Sequence, residues 1–180
     1  MDVRRVATGH DEHGKAVFAS DELVTPETLT LLPGNEFHLL WGADTASRFP
    51  DDGSRPDAPR YFPPITGFRF GFFTIPPDGG AGAPEDIDLD AAIAEFDEKL
   101  PGFAEHLDVE DLGMHKTASI DFGVVVAGQV TLELDDGATV TLDAGDTYVQ
   151  NGTRHRWSNR GRVPAVIAVT LIGARHDGIG

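Results

Sequence analysis

Two stretches decide how this chain folds: Gly113-Met-His-Lys-Thr-Ala-Ser-Ile-Asp-Phe-Gly-Val-Val-Val-Ala-Gly128, and Gly145-Asp-Thr-Tyr-Val-Gln-Asn-Gly-Thr-Arg-His-Arg-Trp-Ser-Asn159. Between them, residues 130–142 read Val-Thr-Leu-Glu-Leu-Asp-Asp-Gly-Ala-Thr-Val-Thr-Leu, which is two alternating apolar runs around an Asp-Asp-Gly turn. Alternation with period two, interrupted by Asp and Gly, predicts strand–turn–strand. Asp143-Ala-Gly-Asp146 and Asn151-Gly152 mark two further turns. The nearly continuous apolar run Ala-Val-Ile-Ala-Val-Thr-Leu-Ile at 165–172 predicts a strand buried deep between sheets.

Outward from these stretches the chain remains mostly strand-like. Residues 3–19 predict a hairpin whose tip, Gly9-His-Asp-Glu-His-Gly14, carries ligand-like side chains that the turn chemistry assigns to solvent. Residues 35–42 predict a strand with Phe37, Leu39 and Trp41 alternating against Glu36, His38 and Leu40. Residues 43–64, rich in Pro, Asp and Gly, predict a long surface loop that could cover one end of the fold. In the strand at 67–76, Phe68, Phe70 and Phe72 share one face, and Arg69 lies on the other with Gly71 and Phe73. A Gly/Pro/Ala linker at 78–86 precedes one helix, capped by Asp86 or Asp88, with Leu89, Ile93, Phe96 and Leu100 as its apolar stripe and Pro101-Gly102 as its stop.

The chain has 180 residues, no cysteine and a formal charge of -16. That length suits a single domain with a full core. Without cysteine there are no disulfides, thiolate ligands or thiol nucleophiles, which leaves His and carboxylates as the strong metal ligands. The acidic balance argues against a nucleic-acid surface, and no apolar run is long enough to span a bilayer. Met1-Asp-Val-Arg-Arg lacks an apolar signal core, so a cytoplasmic protein is expected. Phosphate loops, nucleophile elbows and His-Glu-x-x-His are absent from the sequence.

The two quoted stretches resemble the paired motifs of the cupin superfamily over residues 113–172. His115 falls on the first histidine of that pattern, Gly128 on its closing glycine and Gly145 on its turn glycine. Gly152, His155 and Asn159 match the later glycine, the third histidine and the trailing asparagine. Three positions depart from it: Thr117 replaces the second histidine, Asp121 replaces glutamate, and Gln150 stands where many members have proline. The resemblance implies an all-β double-stranded β-helix, or jelly-roll barrel, with extra N-terminal strands and one short helical segment. The barrel core is expected at 113–175, with residues 1–112 as an extension packed on it in one structural domain.

The resemblance also implies a divalent metal held by His115, Asp121 and His155. Two imidazoles and one carboxylate with open positions form the facial triad of non-haem Fe(II) oxygenases. Fe(II) is therefore the first expectation, with Zn, Ni or Mn able to occupy the same set. Thr117 and Gln150 would orient substrate or water, and Arg69, Tyr148 and Trp157 would line the substrate pocket. Lys116, Arg154 and Arg156 alternate outward and are expected in solvent. Three functions follow: a metal-dependent enzyme on a small organic molecule, either dioxygenase or isomerase, cyclase, dehydratase or lyase; a non-catalytic small-molecule binder; or a metal-free acid–base enzyme using His115 or His155 tuned by Asp121. A homodimer is implied by the resemblance alone.

Overall fold

The computed structural model describes residues 1–80, 86–108, 110–111 and 113–178. The predicted linker at 78–86 therefore falls largely outside the described residues. Among the described residues eleven strands form three antiparallel groups. The hairpin of β1 (Val3–His10) and β2 (Ala16–Val24) stands apart. The main sheet has six strands in the order β3 (Glu27–Leu29), β4 (Leu32–Ala43), β5 (Phe68–Ile75), β11 (Ala165–Gly173), β6 (Ser119–Ala127) and β9 (Thr147–Asn151). Facing it is a three-stranded sheet in the order β10 (Arg156–Ser158), β7 (Gln129–Glu133) and β8 (Thr139–Asp143). This is the expected all-β jelly roll.

The run at 165–172 is β11, paired to β5 on one side and β6 on the other, which explains why it is apolar almost throughout. β3, β4 and β5 belong to the same sheet as the motif strands, so the barrel is not confined to 113–175 and position 112 is no structural boundary. Ile75, Val125, Val130, Ala165 and Ile167 form the core between the sheets.

Among the described residues one α-helix, α1 (Leu89–Lys99), begins as the sequence predicts: the Asp88 side chain accepts from the Ala91 amide, which satisfies one of the orphan donors of the first turn. Its buried face differs from the predicted stripe. Ala92, Phe96 and Leu100 are buried, while Leu89 and Ile93 are exposed. Phe96 and Leu100 pack on Leu29 and Phe37, so the helix closes the β3–β4 end of the barrel.

β4 also departs from simple alternation. A bulge between Leu39 and Trp41 sets Trp41 opposite Phe70, whereas Phe37 and Leu39 lie opposite Phe73 and Gly71. The extra residue turns Trp41 to the opposite face from Phe37. There it lies under the Arg5 guanidinium, 5.4 Å from its ring centre.

Candidate functional site

A cavity of about 780 Å³ opens between the sheets at the end closed by α1. β6 and the segment before it supply its polar floor. His115 forms an isolated antiparallel bridge with His155, each backbone amide donating to the other's carbonyl at 2.9 Å. That bridge brings the two imidazoles together, with ring centres 4.2 Å apart. Gly152 makes the approach of His155 possible: its φ is 62°, and a Cβ there would lie 3.0 Å from the Thr117 carbonyl oxygen.

Each imidazole is fixed at Nδ1. The His155 nitrogen lies 2.9 Å from the Thr153 carbonyl oxygen, and that of His115 lies 3.2 Å from the Gly113 carbonyl oxygen. A carbonyl oxygen only accepts, so Nδ1 carries the proton in both rings and each Nε2 keeps a lone pair. Burial, and then the neighbouring His115, push the His155 pKa down to about 4; burial lowers His115 as well. Both rings are neutral at pH 7.

Thr117, Ser119 and Asp121 continue the same inward face, and all three are buried. The Thr117 and Ser119 hydroxyls are 2.9 Å apart, and the Ser119 hydroxyl donates to Asp121 Oδ1 at 2.6 Å. Burial pushes the Asp121 pKa up to about 6, against the opposing pull of the Ser119 hydroxyl. A raised carboxyl pKa means that the folded state holds its proton more tightly than the unfolded chain. The resulting burial cost is present above about pH 6 and fades as pH falls towards 4. Asp121→Asn keeps an acceptor for Ser119 and removes the buried charge. In chelator-treated protein it should raise unfolding free energy by about 2 kcal/mol at pH 8 and leave it unchanged at pH 4, as read by urea titration. Equal stability of the two proteins at pH 8 would contradict the charge-burial account.

The walls are aromatic. Phe37 stacks on Phe73 at 4.8 Å, Tyr61 and Phe62 pack edge-on, and Phe103 reaches both Tyr61 and His115. On the opposite side Tyr148 lies against Trp157, 4.7 Å between centres. Tyr148 pairs with Gly123 across the β6–β9 ladder, and a Cβ on Gly123 would fall 2.3 Å from the Tyr148 ring. Glycine there lets the phenol lie flat over β6, two residues from Asp121. The loop at 43–64 does reach the site, delivering Tyr61 and Phe62 to the cavity.

His115, Thr117, Asp121, Tyr148, His155 and Trp157 thus share one cavity. Two predicted site residues do not belong to it. Gln150 is buried but does not line the cavity; its amide donates to the Thr153 carbonyl at 3.0 Å, bracing the turn that presents His155. Arg69 lines a smaller neighbouring cavity of about 250 Å³ and is neutralised by Asp44 at 2.5 Å, with the Arg60, Ala43 and Phe68 carbonyls taking its other protons. It has no charge to spare for a substrate. Arg154 and Arg156 are not simply solvated either: Arg154 bridges Asp108, Asp111 and Asp135, and Arg156 bridges Asp111 and Glu133. They tie the segment before the first motif to the β7–β8 turn and to β7.

Alternation from Thr117 and Asp121 could have found Ser119. Tyr61, Phe62 and Phe103 carry no comparable signal, because loop and helix-end residues reach a site only through tertiary folding.

A neutral imidazole with Nδ1 fixed to a carbonyl and Nε2 free is the arrangement a metal-ligating histidine requires. His115 and His155 fit a divalent ion on that ground. Asp121 lines the same cavity, and its Oδ1 accepts from Ser119; among the described residues no three His, Asp or Glu side chains group closely enough to hold a metal ion.

Residues 108–171 match the cupin domain family. Over 47 residues the chain is 53% identical to the phomopsin biosynthesis cluster protein C' of Diaporthe leptostromiformis, covering 26% of this chain and 25% of that protein. It is 29% identical over 106 residues to a cupin-domain-containing oxidoreductase of Neurospora crassa, covering 52% of this chain and 54% of that one. The matched segment spans about a quarter of the length of the first of these relatives. A crystal structure of an RmlC-like cupin family protein with a double-stranded β-helix fold, from Methanocaldococcus jannaschii, superposes with a TM-score of 0.39 at 12% identity, over 61% of this chain and 73% of that one. No helix among the described residues is long and apolar enough to cross a membrane. The paired motifs, the jelly-roll topology and the match over residues 108–171 identify a cupin domain in this chain, to whose main sheet β3, β4 and β5 add.

Proposed function

We propose that this protein is a metal-dependent enzyme acting on a small, largely apolar organic molecule in the cavity above His115 and His155. The observation that carries the reading is the pair of neutral imidazoles, each locked at Nδ1 with a free Nε2, facing one aromatic-walled cavity. His115 and His155 would hold the ion. A divalent metal bound there would supply a Lewis acid for a substrate oxygen and, if redox-active as Fe(II) is, would pass electrons to dioxygen as the oxidant of the substrate. Relatives that carry the name cupin-domain-containing oxidoreductase favour the oxidative branch over lyase or isomerase chemistry.

The chain's own residues do the rest. Phe37, Phe73, Phe103 and Trp157 exclude water from the substrate's apolar body. Asp121, titrating near 6, exchanges a proton with Ser119 Oγ, which lies within hydrogen-bond reach of Thr117 Oγ1 at the cavity floor. A proton can thus pass between the cavity and a buried carboxyl without a water chain.

A metal-free acid–base enzyme is the second reading, favoured by the engagement of Asp121 with Ser119 in place of the histidines. In that case His155 is the base. Metal content of untagged protein purified without air separates the two. About one equivalent of a divalent metal, with chelation abolishing turnover, supports the first reading. Protein that carries no metal, gains none on reconstitution and turns over unchanged in chelator sinks it in favour of the second.

A further inference from the structure

The main sheet has a second face, turned away from the cavity. Along β5, β11, β6 and β9 the residues that line the cavity or the core alternate with a set that points outward. Register aligns that outward set: Phe70, Thr170, Phe122 and Val149 stand in one row across the four strands. The rows on either side, from Phe68 through Ile172 to Asn151 and from Phe72 through Val124 to Thr147, complete a block of three rows of four. None of these side chains is charged, although 24% of the chain's residues are. Phe70, Phe122, Val149 and Ile172 are 39–54% exposed.

The β1–β2 hairpin covers the β4 end of this face, where Arg5 lies over Trp41 and donates to the Leu40 carbonyl at 2.6 Å. Beyond Phe70, which stands opposite Trp41, the block is open among the described residues. At about 200 Å² for a large side chain wholly in water, the four exposed apolar residues contribute about 350 Å², and the other members bring the block to about 700 Å². A typical monomer leaves at most about 300–600 Å² of contiguous apolar surface bare, and a standard interface takes about 800 Å² from each partner. The block therefore has the size of an interface.

We infer that this block is the contact face of a symmetric homodimer, in which a second copy lays the same face against it. Charge decides the occupant. A chain at -16 draws a basic partner to its acidic surface, and such a partner gains nothing at a block without carboxylates. A second copy carries the same -16 and is repelled wherever the two surfaces present carboxylates to each other. A charge-free block is where such copies can touch. A twofold axis pairs the block with itself, so apolar surface meets apolar surface with no second patch required. The cavity lies on the other side of the sheet, so the contact leaves it open and depends on neither metal nor substrate.

Sedimentation velocity over a range of protein and salt concentrations tests it. The intact chain should dimerise with a Kd of about 10 μM, and the dimer should tighten several-fold between about 0.05 and 0.5 M NaCl, because salt screens the repulsion and leaves the apolar contact. Phe122→Lys combined with Val149→Lys sets like charges against each other across the axis and should weaken the dimer at least about a hundredfold. Thr170→Lys, a milder change in the same row, should weaken it about tenfold, which keeps the test open should the double variant fail to fold. Val140→Lys places the same charge on an exposed apolar residue of the facing sheet and should change nothing. A dimer that loosens as salt rises, or one that survives the lysines in this block, would place the contact elsewhere and overturn the inference. So would a chain that stays monomeric at every concentration, including one that instead floats with phosphatidylcholine vesicles, which would give the face to a lipid surface.

Discussion

His155→Ala is expected to lower turnover at least about a hundredfold while the protein stays folded. His155 is 2% exposed, its Nδ1 is bound to the Thr153 carbonyl, and its Nε2 is one of two free lone pairs facing the cavity. As a metal ligand it is harder to replace than the hydrogen-bonded groups behind a ligand, whose loss alone costs 10–100-fold in affinity or activity. As a general base it would carry about 10²–10⁴-fold. Both readings of the function thus predict a collapse of activity, and metal content tells them apart. Loss of the bound ion together with turnover places His155 on the metal, whereas loss of turnover from a protein that never held metal makes it the base. The backbone bridge to His115 uses main-chain groups only, so the circular dichroism spectrum should survive. A variant with full activity would remove the site from this pair of histidines altogether.

Asn159→Ala should produce the largest loss of stability from a single polar substitution, about 3–4 kcal/mol by urea unfolding. Asn159 is fully buried, and its side chain serves three backbone groups. The amide donates to the Ile75 carbonyl at 2.9 Å and to the Val163 carbonyl at 2.8 Å, and its oxygen accepts from the Gly161 amide at 2.9 Å. These contacts join the end of β5 to the turn that leads into β11, at the middle of the main sheet. Alanine leaves all three groups without this partner, and each uncompensated buried group costs about 1–3 kcal/mol. Asn159→Asp keeps the acceptor and loses both donors, so it should be nearly as damaging. A loss below about 1 kcal/mol for alanine would mean that water enters and restores the bonds. In this chain the asparagine that closes the second motif is a structural tie and not a reactive group.

Much of this architecture is legible along the chain because it is local. The Asp-Asp-Gly and Asn-Gly turns, the alternation through Thr117 and Asp121, the Asp88 cap and the apolar run of β11 each express a preference of a few consecutive residues. The resemblance of the two motifs to cupins comes from the same segments, and it brought His115 and His155 to one place correctly. Where the local patterns mislead, a distant partner is responsible. Trp41 leaves the face of Phe37 because a bulge absorbs one residue in register with β5, and no residue within β4 announces it. Leu89 and Ile93 fit the helical stripe but are exposed, because Leu29 and Phe37 meet only its Phe96 and Leu100, and Ala92 is buried in their place.

The candidate site divides along the same line. Its two histidines, Thr117, Asp121, Tyr148 and Trp157 could be named from the order of residues, since strand alternation and turn chemistry aim a side chain without reference to anything far away. Three outcomes needed the packed molecule. Asp121 has a raised pKa because the packed sheets bury it at the cavity floor. Arg69 is cancelled by Asp44, because β4 brings that carboxylate alongside. Tyr61 enters the cavity because a long loop folds back over the barrel's end. Each depends on a distance between segments far apart in the chain, which long-range packing determines and local sequence preference does not encode.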